Sequence, residues 1–245
     1  MTDILGIDIG GTGIKAAPVD VTAGQLTAER LKIDTPQPPV PAAVGPVVKQ
    51  LISHFKWTGP VGMTFPGVVT KGVIRTAPNL NPAWVGVDAA EFFGGVTNTA
   101  VSVVNDADAA GLAEVKFGAG KDQPGTVLML TLGTGIGSAL FYNGELVPNT
   151  EFGHIEIHGE DAERRASEHA REIDDLSWSK WANRLDSYLD KMEALLWPDL
   201  IIIGGGISRK SDKFLHRLSL RATVVPAALH NDAGIVGAAM TAIPA

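Results

Sequence analysis

Two glycine-rich turns in this chain have the composition of phosphate-binding loops. The first, Gly-Gly-Thr-Gly at residues 10–13, separates an apolar run that contains Asp8 from a second run that begins at Ile14. Glycines allow backbone N–H groups to approach an anion, Thr12 adds a hydroxyl donor, and Lys15 can bring a positive charge to the same place. Asp8 lies where a carboxylate could hold Mg²⁺ through water. The pattern predicts two strands joined by a phosphate-binding turn, with a ligand-free glycine turn as the alternative.

The second turn, Gly-Thr-Gly at residues 133–135, repeats this pattern between apolar runs at 126–132 and 136–142. Neither turn is a P-loop, because Gly-x-x-x-x-Gly-Lys-[Ser/Thr] occurs nowhere in the chain. Neither is a dinucleotide fingerprint, because a predicted strand rather than a helix follows the glycines. Two such hairpins indicate a duplicated architecture with one phosphate loop in each half, and the repetition favours phosphate binding over plain turns.

A further acidic residue, Asp106, follows a predicted strand at 101–104 and precedes an alanine-rich helix predicted over 107–117. The positive end of the helix dipole keeps a carboxylate at this position ionised. Phosphoryl transfer needs a base near the attacking hydroxyl, and Asp106 is therefore our candidate for that base. The alternative is that Asp106, or Asp108 two residues later, only caps the helix.

A cluster of histidines and glutamates in the segment 147–158 offers two kinds of chemistry. If the segment is extended, His154, Glu156 and His158 share one face of a strand, a spacing that a metal site could use. Alternatively, His154 and Glu151 supply the hydrogen-bond donors and acceptors that a hexose requires. We predict the second role for these two residues and an exposed strand for Glu156 and His158.

The elements that position these residues alternate between strands and helices, which predicts an α/β fold. The remaining predicted strands cover 26–34, 61–65, 72–75, 199–203 and 224–225, and the remaining predicted helices cover 41–55, 161–173, 177–197 and 233–242. Trp178 and Trp181 are predicted to pack in the core. We expect an N-terminal lobe of residues 1–106, joined by the C-terminal helix 234–245, and a larger lobe of residues 107–233.

The composition excludes several classes of site and partner. The 245 residues contain no cysteine, which excludes disulfides and thiolate metal sites, and the net charge of −7 argues against nucleic-acid and anionic-membrane partners. No apolar run approaches about 18 residues and no leader precedes the first strand, so we expect a cytoplasmic protein. The segment 208–221 departs from the acidic average, with five basic residues against one aspartate. It is either a track for an extended polyanion or a solvated surface.

Six motifs, in the order and spacing that they have here, resemble those of the ROK family of sugar kinases, in the hexokinase/actin-like ATPase superfamily. They span nearly the whole chain, at residues 8–15, 105–107, 132–137, 151–154, 204–208 and 231–239. Within the family, the runs at 64–67, 148–157 and 161–167 are most similar to those of polyphosphate glucokinases and polyphosphate/ATP glucomannokinases. The resemblance implies a two-lobed actin-like ATPase (ribonuclease H-like) fold of the hexokinase/ROK type.

The resemblance also implies an activity and a set of site residues. The activity is a Mg²⁺-dependent glucokinase that transfers a phosphoryl group from inorganic polyphosphate, ATP or both to the 6-hydroxyl of glucose, with Asp106 as the catalytic base. The implied sugar-binding residues are Gly67, Asn105, Asp106, Glu151, His154 and Glu163. The implied phosphate-binding residues are Asp8 (which would hold Mg²⁺ through water), Gly10, Gly11, Thr12, Lys15, Thr131, Gly133, Thr134, Gly135, Gly205 and Gly206. The implied polyphosphate track contains Arg209, Lys210, Lys213 and Arg217.

The chain departs from the family pattern in two ways. Many members carry a zinc-binding cysteine cluster after the Glu-x-Gly-His motif, and since this chain has no cysteine we expect no structural zinc. The family's repressors have an N-terminal helix-turn-helix, whereas this sequence begins almost at the first strand, so we expect no nucleic-acid partner. A homodimer is expected by resemblance. The alternatives for function are a kinase for mannose, fructose or an N-acetyl sugar, and a non-catalytic sugar-sensing protein.

Overall fold

The computed structural model describes residues 3–242, which form two compact units. The first unit comprises the described residues up to Ala113 together with those from Asp232 onward, and the second comprises Glu114–Asn231. The chain passes from the first unit to the second inside a helix that begins at Asp106. Across the described part of the chain, no helix combines the length and the apolar character needed to cross a membrane.

A mixed sheet forms the centre of the first unit. In chain order this unit contains β1 (Asp3–Ile9), β2 (Gly13–Asp20), β3 (Gln25–Leu26), β4 (Leu31–Asp34), α1 (Pro41–His54), β5 (Val61–Phe65), β6 (Val69–Thr70), β7 (Val73–Ile74), α2 (Ala89–Thr97), β8 (Val101–Asn105) and most of α3 (Asp106–Phe117). The strand order is β3-β2-β1-β5-β8, and β4 also pairs with β2. Because β1, β5 and β8 are parallel, their carboxyl ends meet at one edge of the sheet.

Two parts of the first unit differ from the sequence prediction. The strand predicted over 26–34 is two short strands, β3 and β4, because the register against β2 shifts by two residues between the pairs Val19↔Leu26 and Ala16↔Leu31. Helix α2 was not predicted. The Asp88 side chain caps it by accepting a hydrogen bond from the backbone N–H of Glu91 at 3.0 Å.

The second unit repeats the plan of the first: a hairpin with a glycine turn, then parallel strands beside the hairpin's first strand. It contains β9 (Thr126–Leu132), β10 (Ile136–Tyr142), β11 (Glu145–Val147), β12 (Glu156–Ile157), β13 (Glu160–Asp161), α4 (Glu163–Ala166), α5 (Glu168–Ile173), α6 (Trp178–Leu196), β14 (Leu200–Gly204) and β15 (Thr223–Pro226). The main sheet has the order β11-β10-β9-β14-β15. The duplicated architecture predicted from the two hairpins is therefore present.

The helix predicted over 161–173 is interrupted at Ser167. The backbone of Ser167 is extended, and its hydroxyl accepts a hydrogen bond from the N–H of Ala170 and so caps α5. The indole N–H of Trp181 donates to the carbonyls of Ala166 and Ser167 at 3.1 and 3.0 Å, which satisfies carbonyl groups at the break. The tertiary contact therefore ends α4 where the sequence pattern alone predicts a continuous helix.

The last helix, α7 (Ala233–Thr241), returns to the first unit and packs closely on its sheet. A Cβ atom built on Gly6 of β1 would collide with the carbonyl of Ile235, and one built on Gly62 of β5 would collide with the carbonyl of Ala238. On the helix itself, a Cβ on Gly237 would collide with the carbonyl of Ala109 in α3. Glycine is therefore needed at all three positions because backbone lies where a side chain would be.

Candidate active site

Asp8 is held in a fixed orientation at the carboxyl end of β1. Its Oδ2 lies 2.9 Å from the Nζ of Lys15, and its Oδ1 accepts a hydrogen bond of 2.8 Å from the hydroxyl of Thr64. The Thr64 hydroxyl in turn accepts the backbone N–H of Ile9 at 3.1 Å. These contacts follow from register, because Asp8 lies directly opposite Lys15 on β2 and Thr64 on β5. Lys15 therefore pairs with the Asp8 carboxylate, and its contact with phosphate stays a prediction.

The first glycine turn is closed by its own backbone and lies against a neighbouring loop. The N–H of Gly10 donates to the carbonyl of Gly13 at 3.1 Å, and the hydroxyl of Thr35 donates to the carbonyl of Gly10 at 2.5 Å. A Cβ on Gly11 would lie 3.0 Å from the carbonyl oxygen of Asn79. Thr12, at the tip of the turn, is exposed, so its hydroxyl is available to a ligand.

Asn105 caps α3 and anchors Gly67. Its Oδ1 accepts the backbone N–H groups of Ala107 and Asp108 at 2.8 and 3.0 Å, and its Nδ2 donates to the carbonyl of Gly67 at 3.1 Å. With 6% of its surface exposed, Asn105 has one amide hydrogen left for a sugar. The Asn105 side chain thus caps α3, and it shares the N–H of Ala107 with the Asp106 carboxylate.

Asp106 is the first residue of α3 and is half-buried. Its Oδ1 accepts the backbone N–H of Ala107 at 2.9 Å. Register aligns Asp8 with Thr64 and Thr64 with Val104, so Asp8 and Asp106 follow the same edge of the sheet. β1, which carries Asp8, and β8, which ends just before Asp106, are separated by β5 alone, so the two strands lie about 10 Å apart.

In the second unit, the turn 133–135 is bounded by a carboxylate and by a helix. The N–H of Gly133 donates to the carbonyl of Gly135 at 3.0 Å. The Oε2 of Glu163 accepts the N–H of Ile136 at 3.3 Å, and a Cβ on Gly135 would collide with that oxygen. The N–H of His169, in the first turn of α5, donates to the carbonyl of Gly133 at 3.0 Å. Thr131 precedes this turn on β9 and pairs with Gly204 of β14.

Three of the predicted sugar-binding residues meet beside this turn. The Nε2 of His154 lies 3.9 Å from Oε2 of Glu151, and its Nδ1 lies 3.9 Å from Oε1 of Glu163. Asp161, which the sequence analysis did not single out, places its Oδ2 3.3 Å from His154 Nδ1. Burial raises the pKa of Glu151, the neighbouring His154 opposes the rise, and the Glu163 carboxylate adds to it. The group is therefore acidic and rich in hydrogen-bond acceptors.

The shared face that an extended segment would give His154, Glu156 and His158 is not formed, because the segment is not extended throughout. His154 ends a short 3-10 turn, whereas His158 has a φ of 55° in the turn between β12 and β13. The metal-ligating atoms that do gather belong to His154, Asp161 and Glu163, within 4.8 Å of one another. The β12–β13 hairpin brings Asp161 opposite Glu156 and so towards His154, whereas the sequence pattern placed Asp161 at the start of a helix.

The glycines after β14 approach the second turn from another side. Gly205 has a φ of 81°, and a Cβ there would collide with the backbone of Leu132 at the end of β9. A Cβ on Gly206 would lie 3.6 Å from Oε2 of Glu168. The hydroxyl of Ser208 donates to the carbonyl of Gly205 at 2.9 Å, which fixes this turn.

The four residues of the predicted polyphosphate track differ in their contacts. Lys210 lies 3.4 Å from Oε1 of Glu168, and both Lys210 and Lys213 lie near the ring of Trp178. Arg209 and Arg217 are exposed and make no ion pair or aromatic contact within residues 3–242. Trp178 is only half-buried, whereas Trp181 is fully buried, so the predicted core role is confirmed for Trp181 and is incomplete for Trp178.

The chain is similar to several known proteins over nearly its whole length. It is 52% identical to a polyphosphate glucokinase of Mycobacterium tuberculosis over 97% of this chain and 90% of that protein. It is 49% identical to a polyphosphate glucokinase of Mycobacterium leprae over 96% of this chain and 73% of that protein. The crystal structure of an inorganic polyphosphate/ATP-glucomannokinase from an Arthrobacter species superposes with a TM-score of 0.95 and 47% identity, covering 98% of each chain.

A more distant structure shares the fold alone. A ROK family glucokinase from Streptomyces griseus, 23% identical, superposes with a TM-score of 0.84 over 98% of this chain and 99% of that one. These superpositions confirm the predicted actin-like fold of the ROK type. The profile of the ROK family matches residues 4–168, which include Asp8, Asp106, the turn 133–135 and the residues around His154. The chain belongs to the ROK family.

Proposed function

We propose that this protein is a kinase that transfers a phosphoryl group from inorganic polyphosphate, ATP or both to the 6-hydroxyl of glucose. The observation that carries the proposal is the 52% identity to a polyphosphate glucokinase along 97% of the chain. The geometry supports it, because Asp8 and Asp106 follow one sheet edge and the acceptor-rich group around His154 flanks the second glycine turn.

Asp106 is the base in this proposal. The N-terminus of α3 stabilises its ionised form, and its carboxylate accepts the proton of the 6-hydroxyl as the sugar oxygen bonds to phosphorus. The bond between phosphorus and the donor's bridging oxygen breaks, and the shortened polyphosphate or ADP leaves. The Asn105 side chain accepts two N–H groups of the first turn, so capping of α3 does not depend on Asp106 alone.

The residues around Asp8 fit a hydrated Mg²⁺ bound to phosphate. A carboxylate and a hydroxyl are oxygen ligands of the kind that Mg²⁺ prefers, and the ion keeps several water molecules in most protein sites. The Asp8 oxygens already accept from Lys15 and Thr64, which favours contact through water over direct coordination. Mg²⁺ would neutralise phosphate charge, while Asp8 would orient its water shell.

Glu151, His154 and Glu163 would bind the sugar hydroxyls. Their carboxylate oxygens accept hydroxyl protons, and the imidazole supplies one donor or one acceptor as its tautomer requires. The Arthrobacter structure is of a glucomannokinase and is 47% identical to this chain, which favours mannose as a second acceptor. Mannose therefore belongs in the first set of assays.

The quaternary structure and location are part of this proposal. We expect a homodimer in the cytoplasm, and the support for both is the similarity to other members of the family. Light scattering on the purified protein would measure the mass in solution against the 25.7 kDa of one chain.

The first experiment measures hexose 6-phosphate formation with glucose or mannose and Mg²⁺, in parallel with polyphosphate, ATP and no donor. The proposal expects glucose phosphorylation with at least one donor. Binding of sugar without phosphorylation by either donor would favour the sugar-sensing alternative.

Asp106→Asn tests the mechanism. Removal of a general base typically costs about 10²- to 10⁴-fold in turnover, while glucose binding measured by calorimetry should persist. Asp190→Asn is a matched control, because Asp190 is exposed on α6 and makes no hydrogen bond or ion pair within the described chain. A normal rate for Asp106→Asn would show that another group accepts the proton.

A further inference from the structure

The two ring nitrogens of His154 have different surroundings, and only one of them has a hydrogen-bond partner among the described residues. Nδ1 forms a hydrogen bond of 3.3 Å with Oδ2 of Asp161. Nε2 lies 3.9 Å from Oε2 of Glu151, which is too far for a hydrogen bond. The His154 side chain is 47% exposed, so a ligand can reach the ring. The two nitrogens can therefore have different tasks.

Backbone hydrogen bonds position both members of the pair. The N–H of Ala162 donates to the carbonyl of Ile155 at 2.9 Å, which joins the residue after Asp161 to the residue after His154. Strand β13, which carries Asp161, pairs with β12. The N–H of His154 donates to the carbonyl of Glu151 at 3.1 Å within the 3-10 turn. The contact between the two side chains is therefore built into the local fold.

Asp161 is a better acceptor for a proton on Nδ1 than Glu163 is. Oε1 of Glu163 lies 3.9 Å from Nδ1, and its Oε2 already accepts the N–H of Ile136 at 3.3 Å. An ionised carboxylate accepts hydrogen bonds and donates none, so the hydrogen bond to Asp161 requires a proton on Nδ1. In a neutral imidazole the other nitrogen then carries a lone pair. The contact with Asp161 therefore selects the tautomer in which Nε2 is an acceptor.

We propose that Asp161 is a positioning residue that fixes the tautomer of His154, so that Nε2 accepts a hydrogen bond from a sugar hydroxyl. This inference rests on the proposed function, in which His154, Glu151 and Glu163 bind the sugar. With Nε2 as an acceptor beside two carboxylates, these three side chains offer the sugar acceptors alone. Each hydroxyl that they bind must donate its hydrogen, and the site therefore rejects a substituent that cannot donate.

Nitrogen-15 NMR of the histidine side chains tests the tautomer. The chain has six histidines, and His154→Gln identifies the signals of His154 by their loss. At a pH of about 8, where an ordinary imidazole is neutral, the wild-type protein with EDTA should show a proton on Nδ1 and none on Nε2. Asp161→Asn should keep this pattern, because its amide oxygen can still accept a hydrogen bond, whereas Asp161→Ala should lose it.

Steady-state kinetics test the consequence for glucose. Asp161→Ala should raise the KM for glucose about three- to tenfold, the equivalent of one hydrogen bond, and should change kcat by less than about twofold because Asp106 is intact. Asp161→Asn should restore most of the affinity. Glu156→Gln is the matched control and should leave the KM unchanged, because Glu156 faces Asp161 across the same hairpin, is exposed and makes no hydrogen bond or ion pair with His154.

A series of sugars separates this role from damage to the site. Glucose analogues with fluorine in place of a single ring hydroxyl keep nearly the same size but cannot donate a hydrogen bond. In the wild-type protein, fluorine at the position that contacts His154 should raise the KM at least about fivefold. In Asp161→Ala this penalty should fall about threefold at that position alone, because Nε2 can then carry the proton. A damaged site would change the penalties at all positions alike.

The outcomes that overturn the inference are distinguishable from failure of the proposed function. Protons on both nitrogens, or a proton on Nε2 alone, would show that Asp161 does not set a neutral acceptor. Signals of Nδ1 that change when EDTA is added would assign this nitrogen to a metal ion. In these cases the kinase function stands if glucose is still phosphorylated. A wild-type protein that neither binds nor phosphorylates glucose, yet has its proton on Nδ1, would refute the proposed function while the tautomer assignment stands.

Discussion

Glu114 is a fully buried carboxylate that joins distant segments of the second unit, and its removal should be costly. Its Oε2 accepts the backbone N–H groups of Ala119 at 2.8 Å and Ala228 at 3.0 Å, and its Oε1 accepts that of Leu229 at 2.7 Å. The carboxylate thus ties the end of α3 to the segment between β15 and α7. Charge-assisted bonds of this length are about twice as strong as neutral ones.

The cost of Glu114→Ala can be worked from these contacts. Ala228 is exposed, so water can replace the carboxylate there, whereas the N–H groups of Ala119 and Leu229 are in half-buried residues. Each buried donor left without a partner costs about 1 to 3 kcal/mol, which gives a loss of about 2 to 4 kcal/mol after the carboxylate's own desolvation is relieved. The stability of Glu114→Gln should lie between those of the wild type and Glu114→Ala, because its amide oxygen can still accept a hydrogen bond whereas its NH₂ group would face a backbone donor.

Urea unfolding followed by tryptophan fluorescence and circular dichroism would measure the loss. A loss of 2 to 4 kcal/mol lowers the transition midpoint by about 1 M. Glu145→Ala is the control, because Glu145 is exposed on β11 and should change stability by less than about 0.5 kcal/mol. A midpoint for Glu114→Ala within about 0.3 M of wild type, with an unchanged slope, would refute the reasoning.

Three further predictions follow from the site and the sheet of the first unit. Because burial raises the pKa of Glu151 above the usual 4.5, the KM for glucose should begin to rise on acidification at a higher pH than an ordinary glutamate would produce; KM measured against pH tests this. Gly62→Ala forces α7 away from β5 and should cost about 1 to 3 kcal/mol in urea unfolding. Thr64→Val removes the hydroxyl that orients Asp8 and should lower kcat more than it raises the KM for glucose, as steady-state kinetics would show.

Each of these predictions has a control or an opposing outcome. Glu151→Gln should flatten the rise in the KM for glucose at low pH. The same rise in that variant would assign the pH dependence to another titrating group. Gly95→Ala, inside α2 where a Cβ meets open space, should stabilise the protein by about 0.5 to 1 kcal/mol, in contrast to Gly62→Ala. A rise in KM for glucose as large as the fall in kcat for Thr64→Val would contradict a role through Asp8; circular dichroism should show a folded variant, because an unfolded fraction lowers the apparent kcat alone.

The sequence was sufficient to predict a structural element where the signal for that element was local. The strands on either side of the turn 133–135 have the predicted bounds, because apolar runs and a glycine turn define a hairpin without help from the rest of the fold. Helix α2 also had a local signal, the capping pair Asp88 and Glu91, but its two glycines and irregular surroundings obscured the helical pattern. The pairing of Lys15 with Asp8 could have been derived from the length of the first turn.

The parts that escaped prediction depend on tertiary contacts. The break at Ser167 depends on the indole of Trp181, which lies on another helix. Asp161 joins the group around His154 only because residues 158 and 159 form a tight turn. Arg171, Lys210 and Lys213 gather around the ring of Trp178 from separate segments whose spacing along the chain carries no pattern. Charge alone could predict a basic segment, but not which of its residues face a common ring.

The close packing of α7 has a consequence for how the protein folds during its synthesis. Residues 233–241 are synthesised after the whole of the second unit, yet they cover the sheet of the first. During synthesis on the ribosome, the sequence of the second unit is complete before α7 is made. Until α7 is made, the apolar face formed by β1 and β5 is uncovered. Such exposed surface favours aggregation. Loss of the last few residues of α7 would therefore damage the part of the molecule that was translated first.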